Sequence, residues 1–363
     1  MSNHLQTNEA LQARINALIA LGEMMLQDNE QRAEILRLAE VHNGWFTVKN
    51  SIQMIENIGQ QWLNAIALNQ FIAPYKNNLL KNEKTLNVGL VLAGNVPMVG
   101  FHDVLCVYLT GYNALVKLSE KDTILMRWII QFLNNYKKDN PQLNLPTIEI
   151  VERLNASMQA VIATGSDNSA LYFEQYFAKY PNIIRKNRNS IAILNGQETK
   201  ADLVDLGIDI FSYFGLGCRS VSKVFVPENY DFIPLMEQLD LYKEIANHVK
   251  YCNNYDYNRS IYLVNKIPHL VNDCIMVLES ESLLSRIATL HYEFYKDEAD
   301  LVEKITAQLP NLQCAVASEN TITTLKSKDN LSTLAIVPFS KSQNTMLWDY
   351  ADNVDTMQFL LNA

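Results

Sequence analysis

No pair of cysteines in this sequence is spaced as CxxC, no histidines form HxxxH or HExxH, and no glycine run reads GxGxxG. The first two absences exclude a cysteine-clamped zinc site and the common metallohydrolase helix, so no metal is expected. The third excludes the standard dinucleotide fingerprint after a first strand. The five cysteines, at positions 106, 218, 252, 274 and 314, are odd in number and widely separated, which fits reduced thiols in the cytoplasm rather than a disulfide framework. No apolar run is long enough to span a bilayer, and the stretch from Met1 to Ala10 is polar, so neither a membrane span nor export is expected. An excess of basic charge is missing too. Lys and Arg number 30 against 39 acids, a net charge of -9, which argues against a nucleic-acid surface. The one short basic cluster is Arg185-Lys186-Asn187-Arg188.

What is present is apolar content, 48% of 363 residues, enough for two domains with cores of their own. Leu11, Ile15, Leu18, Ile19, Leu21, Ile35, Leu36 and Leu38 recur at helical spacing and predict two or more surface helices, a scaffold or oligomer contact. A further helix over 51–71 precedes the apolar strand of residues 87–93. From there strands and helices alternate: a helix over 101–110, a strand over 114–118, a helix over 123–138, strands over 147–151 and 160–163, a helix over 168–179 and a strand over 190–194. That alternation predicts a doubly wound parallel sheet of the nucleotide-binding kind. A second region begins near residue 196 and contains a helix over 232–249 and a strand over 260–264. The expected division is a cofactor-binding domain over 1–195, a catalytic domain over 196–330, and a tail, 331–363, that returns to the first.

Four stretches carry chemistry. Gly94-Asn95-Val96-Pro97 follows the first strand, where an Asn forms a turn or turns its amide into a cleft. Lys117 and Glu120 flank the end of the second strand; alone they are ordinary surface charges, together a cation and an acid able to meet cofactor phosphate and ribose. Thr164-Gly165-Ser166-Asp167 opens a helix, whose free N–H groups and dipole suit a pyrophosphate, although Ser166 or Asp167 also serves as a plain cap. Gly215-Leu-Gly-Cys218 places a thiol in a glycine-bracketed turn beside Arg219 and Lys223. A small buried hydrophobe is the commoner fate of a cysteine; neighbouring cations favour the thiolate that a nucleophile needs.

Taken in order, these stretches resemble the aldehyde dehydrogenase superfamily over about residues 85–227. Gly94-Asn95-Val96-Pro97 is similar to its Asn-Phe-Pro loop, Lys117-Leu-Ser-Glu120 to its Lys-Pro-Ser-Glu, Thr164-Gly165-Ser166 to its Thr-Gly-Ser, and Gly215-Leu-Gly-Cys218 to its Gly-Gln-x-Cys. The resemblance implies an α/β fold of two doubly wound domains with the active site in the cleft between them. It further implies Cys218 as nucleophile, Asn95 as oxyanion donor, Lys117 and Glu120 at the adenosine ribose or its phosphate, and Gly165 and Ser166 at the pyrophosphate. One departure matters. The family's Glu-Leu-Gly-Gly-Lys segment, source of its hydrolytic base, would fall just before Ser190; Arg185 or Lys186 stands there, and no acid occurs between Glu174 and Glu198. A thioester at Cys218 would then await hydride or a thiol rather than water.

Among the branches of that superfamily the chain is most similar to the fatty acyl-CoA reductases related to the reductase component of bacterial bioluminescence. The function implied is reduction of an acyl-CoA, through an acyl-cysteine at Cys218, by the reduced form of NADP or NAD to an aldehyde, or the reverse, with CoA as co-substrate. Lys117 favours a 2′-phosphate and Glu120 opposes one. An acyl-phosphate reductase would need a phosphate pocket that no stretch supplies. The rival of another class is an idle acyl-carrier or scaffold subunit, suggested by the lack of a recognisable counterpart of the family's downstream Glu-Ile-Phe-Gly. A homo-oligomer is implied by the family. Asp349, Asp352 and Asp355, in the tail, are read as one solvated helical face.

Overall fold

The computed structural model describes residues 2–82 and 84–363, with side chains from residue 8 onward. Two compact units divide the chain: Met1–Asn187 with Met346–Ala363, and Arg188–Thr345.

The first unit is built on a five-stranded parallel sheet: β1 (Asn87–Val91), β2 (Asn113–Lys117), β3 (Ile148–Ile150), β4 (Ala160–Thr164) and β5 (Asn182–Arg185), ordered β3-β2-β1-β4-β5. Strands β1, β2 and β4 are continuous apolar runs because helices bury both faces of a parallel sheet. The chain moves outward from β1 through β2 to β3, then crosses back to β4 and β5. The switch point therefore lies between the carboxyl ends of β1 and β4. Helix Phe101–Thr110 follows β1, and from Val104 to Leu109 every residue is buried.

Helices Ser2–Leu26 and Glu30–His42 turn one face inward. Leu11, Ile15, Leu18 and Leu21 are at most 2% exposed and belong to the same core as β1 and β2. Each such side chain contributes about 2 kcal/mol when withdrawn from water.

The second unit holds a seven-stranded sheet of β6 (Asn189–Ile193), β7 (Val221–Pro227), β8 (Leu270–Val271), β9 (Met276–Glu279), β10 (Thr289–Tyr295), β11 (Leu312–Ala317) and β12 (Ile336–Pro338), ordered β12-β11-β6-β7-β10-β9-β8. All its pairings are parallel except β8 with β9. The division between units falls before β6 rather than at residue 195, because β6 finds its ladder partners in β7 and β11. Residues 331–345 stay with the second unit, where β12 pairs with β11, so the returning tail begins at Met346 rather than at 331.

Residues 260–264 are not a strand but the end of helix Val249–Val264. Its buried Tyr251, Tyr255, Asn258 and Tyr262 sit at helical spacing, so the burial of one helical stripe outweighed the local apolar run.

Candidate active site

Because all strands of the first sheet are parallel, the loops after β1, β2 and β4 emerge on one edge. Asn95, Lys117, Glu120, Gly165 and Ser166 all lie along that edge, Asn95 and Gly165 on either side of the switch point. Cys218 belongs to the other unit, in the turn that leads into β7.

Asn95 is half-buried in a loop shaped from beneath. A Cβ on Gly94 would lie 2.5 Å from Ser119 Oγ, so only glycine lets this loop close against the one after β2. Met98 has φ of 55°, unfavourable for a side chain, and its N–H donates to Asp122 Oδ2 at 2.6 Å. Asp122 is 2% exposed, and among the described residues its Oδ1 has no partner. Nothing in the local sequence Lys-Asp-Thr marked it as a buried carboxyl.

Burial pushes the Asp122 carboxyl up to about 7, against the pull of the Met98 and Met126 N–H groups. The unfolded value is about 3.9. The folded protein thus holds this proton more tightly, and the stability so gained is complete below about pH 4 and lost as pH rises through about 7. Asp122→Asn cannot ionise. Its unfolding temperature relative to wild type is expected to rise between about pH 5 and about pH 8, by the equivalent of about 2 kcal/mol. A difference that stays flat with pH would show that Asp122 does not titrate in that window.

Lys117 is exposed at the end of β2, and exposed Glu120 opens a short 3-10 turn whose carbonyl accepts from His42 Nε2 at 2.7 Å. Ser166 caps helix Asp167–Tyr176, its Oγ accepting from the Ser169 N–H at 3.3 Å. A Cβ on Gly165 would lie 2.8 Å from Ser169 Cβ and 2.9 Å from Phe173, so the strand-to-helix junction admits only glycine. A tight glycine junction, a helix N-terminus and an exposed lysine on one sheet edge fit a dinucleotide phosphate.

The Cys218 turn is bent by backbone. Tyr213, Phe214 and Gly215 are left-handed in succession, with φ of 52°, 59° and 74°. The two side-chain-bearing residues cost roughly 1–2 kcal/mol each. Phe214 offsets part of this by packing its ring, tilted by 31°, against His248, ring centroids 4.3 Å apart. Cys218 is partly exposed, whereas Cys106, Cys274 and Cys314 are buried.

The cations expected beside Cys218 have other engagements. Lys223 is fully buried, paired with Glu293, and donates to the Glu281 carbonyl at 2.8 Å. Its charge is therefore answered by a carboxylate and a carbonyl. Arg219 hydrogen-bonds the Cys314 sulfur; burial pushes that thiol up and the guanidinium works against it.

The residues at the place of the family's base are also engaged. Arg185 is 4% exposed, with Nη1 on Asp103 Oδ2 at 2.5 Å and Nη2 donating to Thr356 Oγ1 at 2.9 Å. Lys186 pairs with Glu174 at 2.8 Å. The sequence held one signal for the first of these: Asp103 is a lone acid in an otherwise buried helix, and a buried carboxylate requires a partner.

The tail acids do not share a helical face. Asp352 has φ of 60°, which breaks any helix, and Asp355 caps helix Thr356–Asn362 while accepting from the Tyr75 hydroxyl at 2.6 Å. Beside it His102 Nε2 donates to the Leu347 carbonyl at 2.7 Å, which leaves Nδ1 as the acceptor for the Cys106 thiol at 3.6 Å.

No family model matches the sequence. Over 169 residues the chain is 24% identical to long-chain acyl-protein thioester reductase 2 of Photobacterium leiognathi, a match that covers 43% of this chain and 35% of that protein. The fold is similar to glyceraldehyde-3-phosphate dehydrogenase GapN of Methanocaldococcus jannaschii, solved with NADP, with a TM-score of 0.67, 13% identity, and 94% of this chain and 86% of that chain covered. Aldehyde dehydrogenase 21 of Physcomitrella patens, solved with succinate, gives a TM-score of 0.67 at 11% identity over 98% of this chain and 84% of that one. Betaine aldehyde dehydrogenase of Staphylococcus aureus, in complex with NAD+, gives 0.64 at 12% identity over 90% and 74%. No helix among the described residues is long and apolar enough to cross a membrane. The order of strands, the glycine-bracketed loops and these likenesses converge: this chain has the aldehyde dehydrogenase fold.

Proposed function

We propose that the chain is an NAD(P)-dependent acyl thioester reductase with Cys218 as its nucleophile. The Cys218 thiolate attacks the thioester carbonyl, the bond from that carbon to the departing sulfur breaks, and the released thiolate takes a proton. A reduced nicotinamide supplies one hydride to the acyl carbon. The resulting tetrahedral adduct collapses by breaking its bond to Cys218, which leaves an aldehyde and the thiolate ready for another turn.

Asn95 and the Cys218 N–H are the proposed donors to the oxyanion in both halves. Lys117 and Glu120 are proposed for the adenosine ribose or its phosphate, Gly165 and Ser166 for the pyrophosphate. Both NADP and NAD stay within the proposal, and CoA is the proposed acyl donor's thiol. The P. leiognathi relative is named for an acyl-protein donor, so an acyl group carried on a protein belongs to the proposed substrate class as well. A homo-oligomer in a reducing cytoplasm completes the reading; none of the five cysteines is in a disulfide.

The observation that carries it is the engagement of Arg185 and Lys186. Two cations, held by Asp103, Thr356 and Glu174, occupy the sequence position at which the resemblance puts the hydrolytic base, which favours an acyl-cysteine that waits for hydride. The test is direct. Protein given an acyl-CoA series, or an acylated carrier protein, should take up the acyl group on the Cys218 peptide by mass spectrometry and release it as aldehyde once NADPH or NADH is added. Absence of the adduct would overturn the reading. An adduct that reduced cofactor does not discharge would favour the idle acyl-carrier instead.

Asn95→Ala should slow acyl transfer to Cys218 by roughly 10²–10³-fold, the usual cost of one oxyanion donor. Stopped-flow release of CoA measures this, and a loss of less than about threefold would remove Asn95 from the oxyanion site.

A further inference from the structure

Beneath the Cys218 turn, Ser190 is fully buried at the start of β6, and both of its neighbouring ladders are irregular there. Against β11 the register shifts between Leu312 and Cys314; against β7 it shifts so that Ser190 faces Val221 and Ile191 faces Lys223. Extra residues on both sides of one position re-aim its side chain.

The Ser190 hydroxyl points at the nucleophile's own main chain. Ser190 Oγ donates to the Cys218 carbonyl at 2.8 Å and lies 3.1 Å from Cys314 Sγ. A hydroxyl has one hydrogen, and a carbonyl can only accept, so the Cys314 thiol is the donor in the second contact. Arg219, the residue after Cys218, in turn hydrogen-bonds the Cys314 sulfur. The hydrogen bonds run from Arg219 to Cys314, to Ser190 and back to the Cys218 carbonyl. They fasten the turn at two adjacent residues to two strands of the sheet. Ser222 joins the same base, its Oγ donating to the Leu283 carbonyl at 2.7 Å, with the Ser190 carbonyl 3.3 Å away.

We infer that Ser190 and Cys314 are positioning residues that hold the Cys218 backbone in the geometry that acyl transfer needs. Neither touches the substrate; they act through the orientation of the turn. This rests on the function proposed above and adds residues to which no motif pointed. The bare thiol needs no such alignment to react with a small alkylating agent, since that reaction develops no oxyanion for the turn's N–H to meet.

The experiment separates the two chemistries. Acylation of Cys218 by an acyl-CoA and its alkylation by iodoacetamide are timed by mass spectrometry of the Cys218 peptide, in wild type, Ser190→Ala, Cys314→Ala and Cys314→Ser. Acylation is expected to fall about tenfold in Ser190→Ala and about fivefold in Cys314→Ala, while alkylation stays within about a factor of two. Cys314→Ser keeps a donor toward Ser190 and should acylate at the wild-type rate, which distinguishes positioning from packing. Equal acylation in all four proteins would overturn the inference and leave the proposed function standing, as would parallel loss of both reactions or failure of serine to rescue. If wild type itself takes no acyl group, the function falls first and the positioning role with it. Should Ser190→Ala fail to fold by circular dichroism, the contrast between Cys314→Ala and Cys314→Ser decides alone.

Discussion

Cys218→Ala is expected to abolish reduction of acyl thioesters, by roughly ten-thousand-fold or more, and to leave no acyl adduct on the protein. The size follows from the chemistry: alanine has no atom that can carry the acyl group between the departing thiol and the arriving hydride. Stability should change little, because Cys218 is only partly buried and its shape is set by the backbone around it. Left-handed Tyr213, Phe214 and Gly215, the Phe214 ring contact with His248 and the Ser190 bond to the 218 carbonyl are all retained when the sulfur is removed. The check is aldehyde formation together with thermal unfolding. Residual turnover above about one part in a thousand would assign the nucleophile to another group. Of the other four cysteines, Cys252 alone is not buried; its thiol donates to the Asp256 carboxylate at 3.8 Å.

The second large effect concerns folding. Arg185→Ala should destabilise the first unit by about 3–5 kcal/mol, since it strands the Asp103 carboxylate inside an apolar helix packing. Asp103 is 6% exposed, and removal of the guanidinium takes away a partner at 2.5 Å and also the donor to Thr356. Replacing both charges with apolar groups of similar volume, as in Arg185→Met with Asp103→Leu, should recover most of the loss, because no ion is then left unpaired. Urea unfolding followed by circular dichroism reads the difference. A single-variant loss below about 1 kcal/mol would mean that water reaches Asp103 and that the pair is a surface feature.

The fold was legible where burial is two-sided. Parallel strands such as Asn87–Val91 and Ala160–Thr164 declare themselves as unbroken apolar runs between helices. Strand β5, Asn-Ile-Ile-Arg, went unread because two of its four residues are polar, and the Arg takes its place only through Asp103, 82 positions earlier. Helix Val249–Val264 was misread at its end because tyrosines fill its buried stripe, and tyrosine suits strands as well.

The candidate site divides in the same way. Asn95, Lys117, Gly165, Ser166 and Cys218 sit in short local patterns, so the sequence alone can nominate them. Asp122, Ser190 and Cys314 do not, because their roles arise from contacts between distant segments: Ser190 meets Cys314 across 124 positions. A serine on a strand reads as any serine until the register of its neighbours is known.

The interruption of the first unit by residues 188–345 has a consequence for how the protein is made. On the ribosome the whole second unit is translated before the segment that completes the first one exists. Until Thr356 and Asp355 emerge, Arg185 and Tyr75 lack the partners that the returning tail provides. The nascent first unit must therefore wait with part of its interior open while the later-translated unit is free to fold ahead of it. Order of synthesis and order of completion are reversed in this chain.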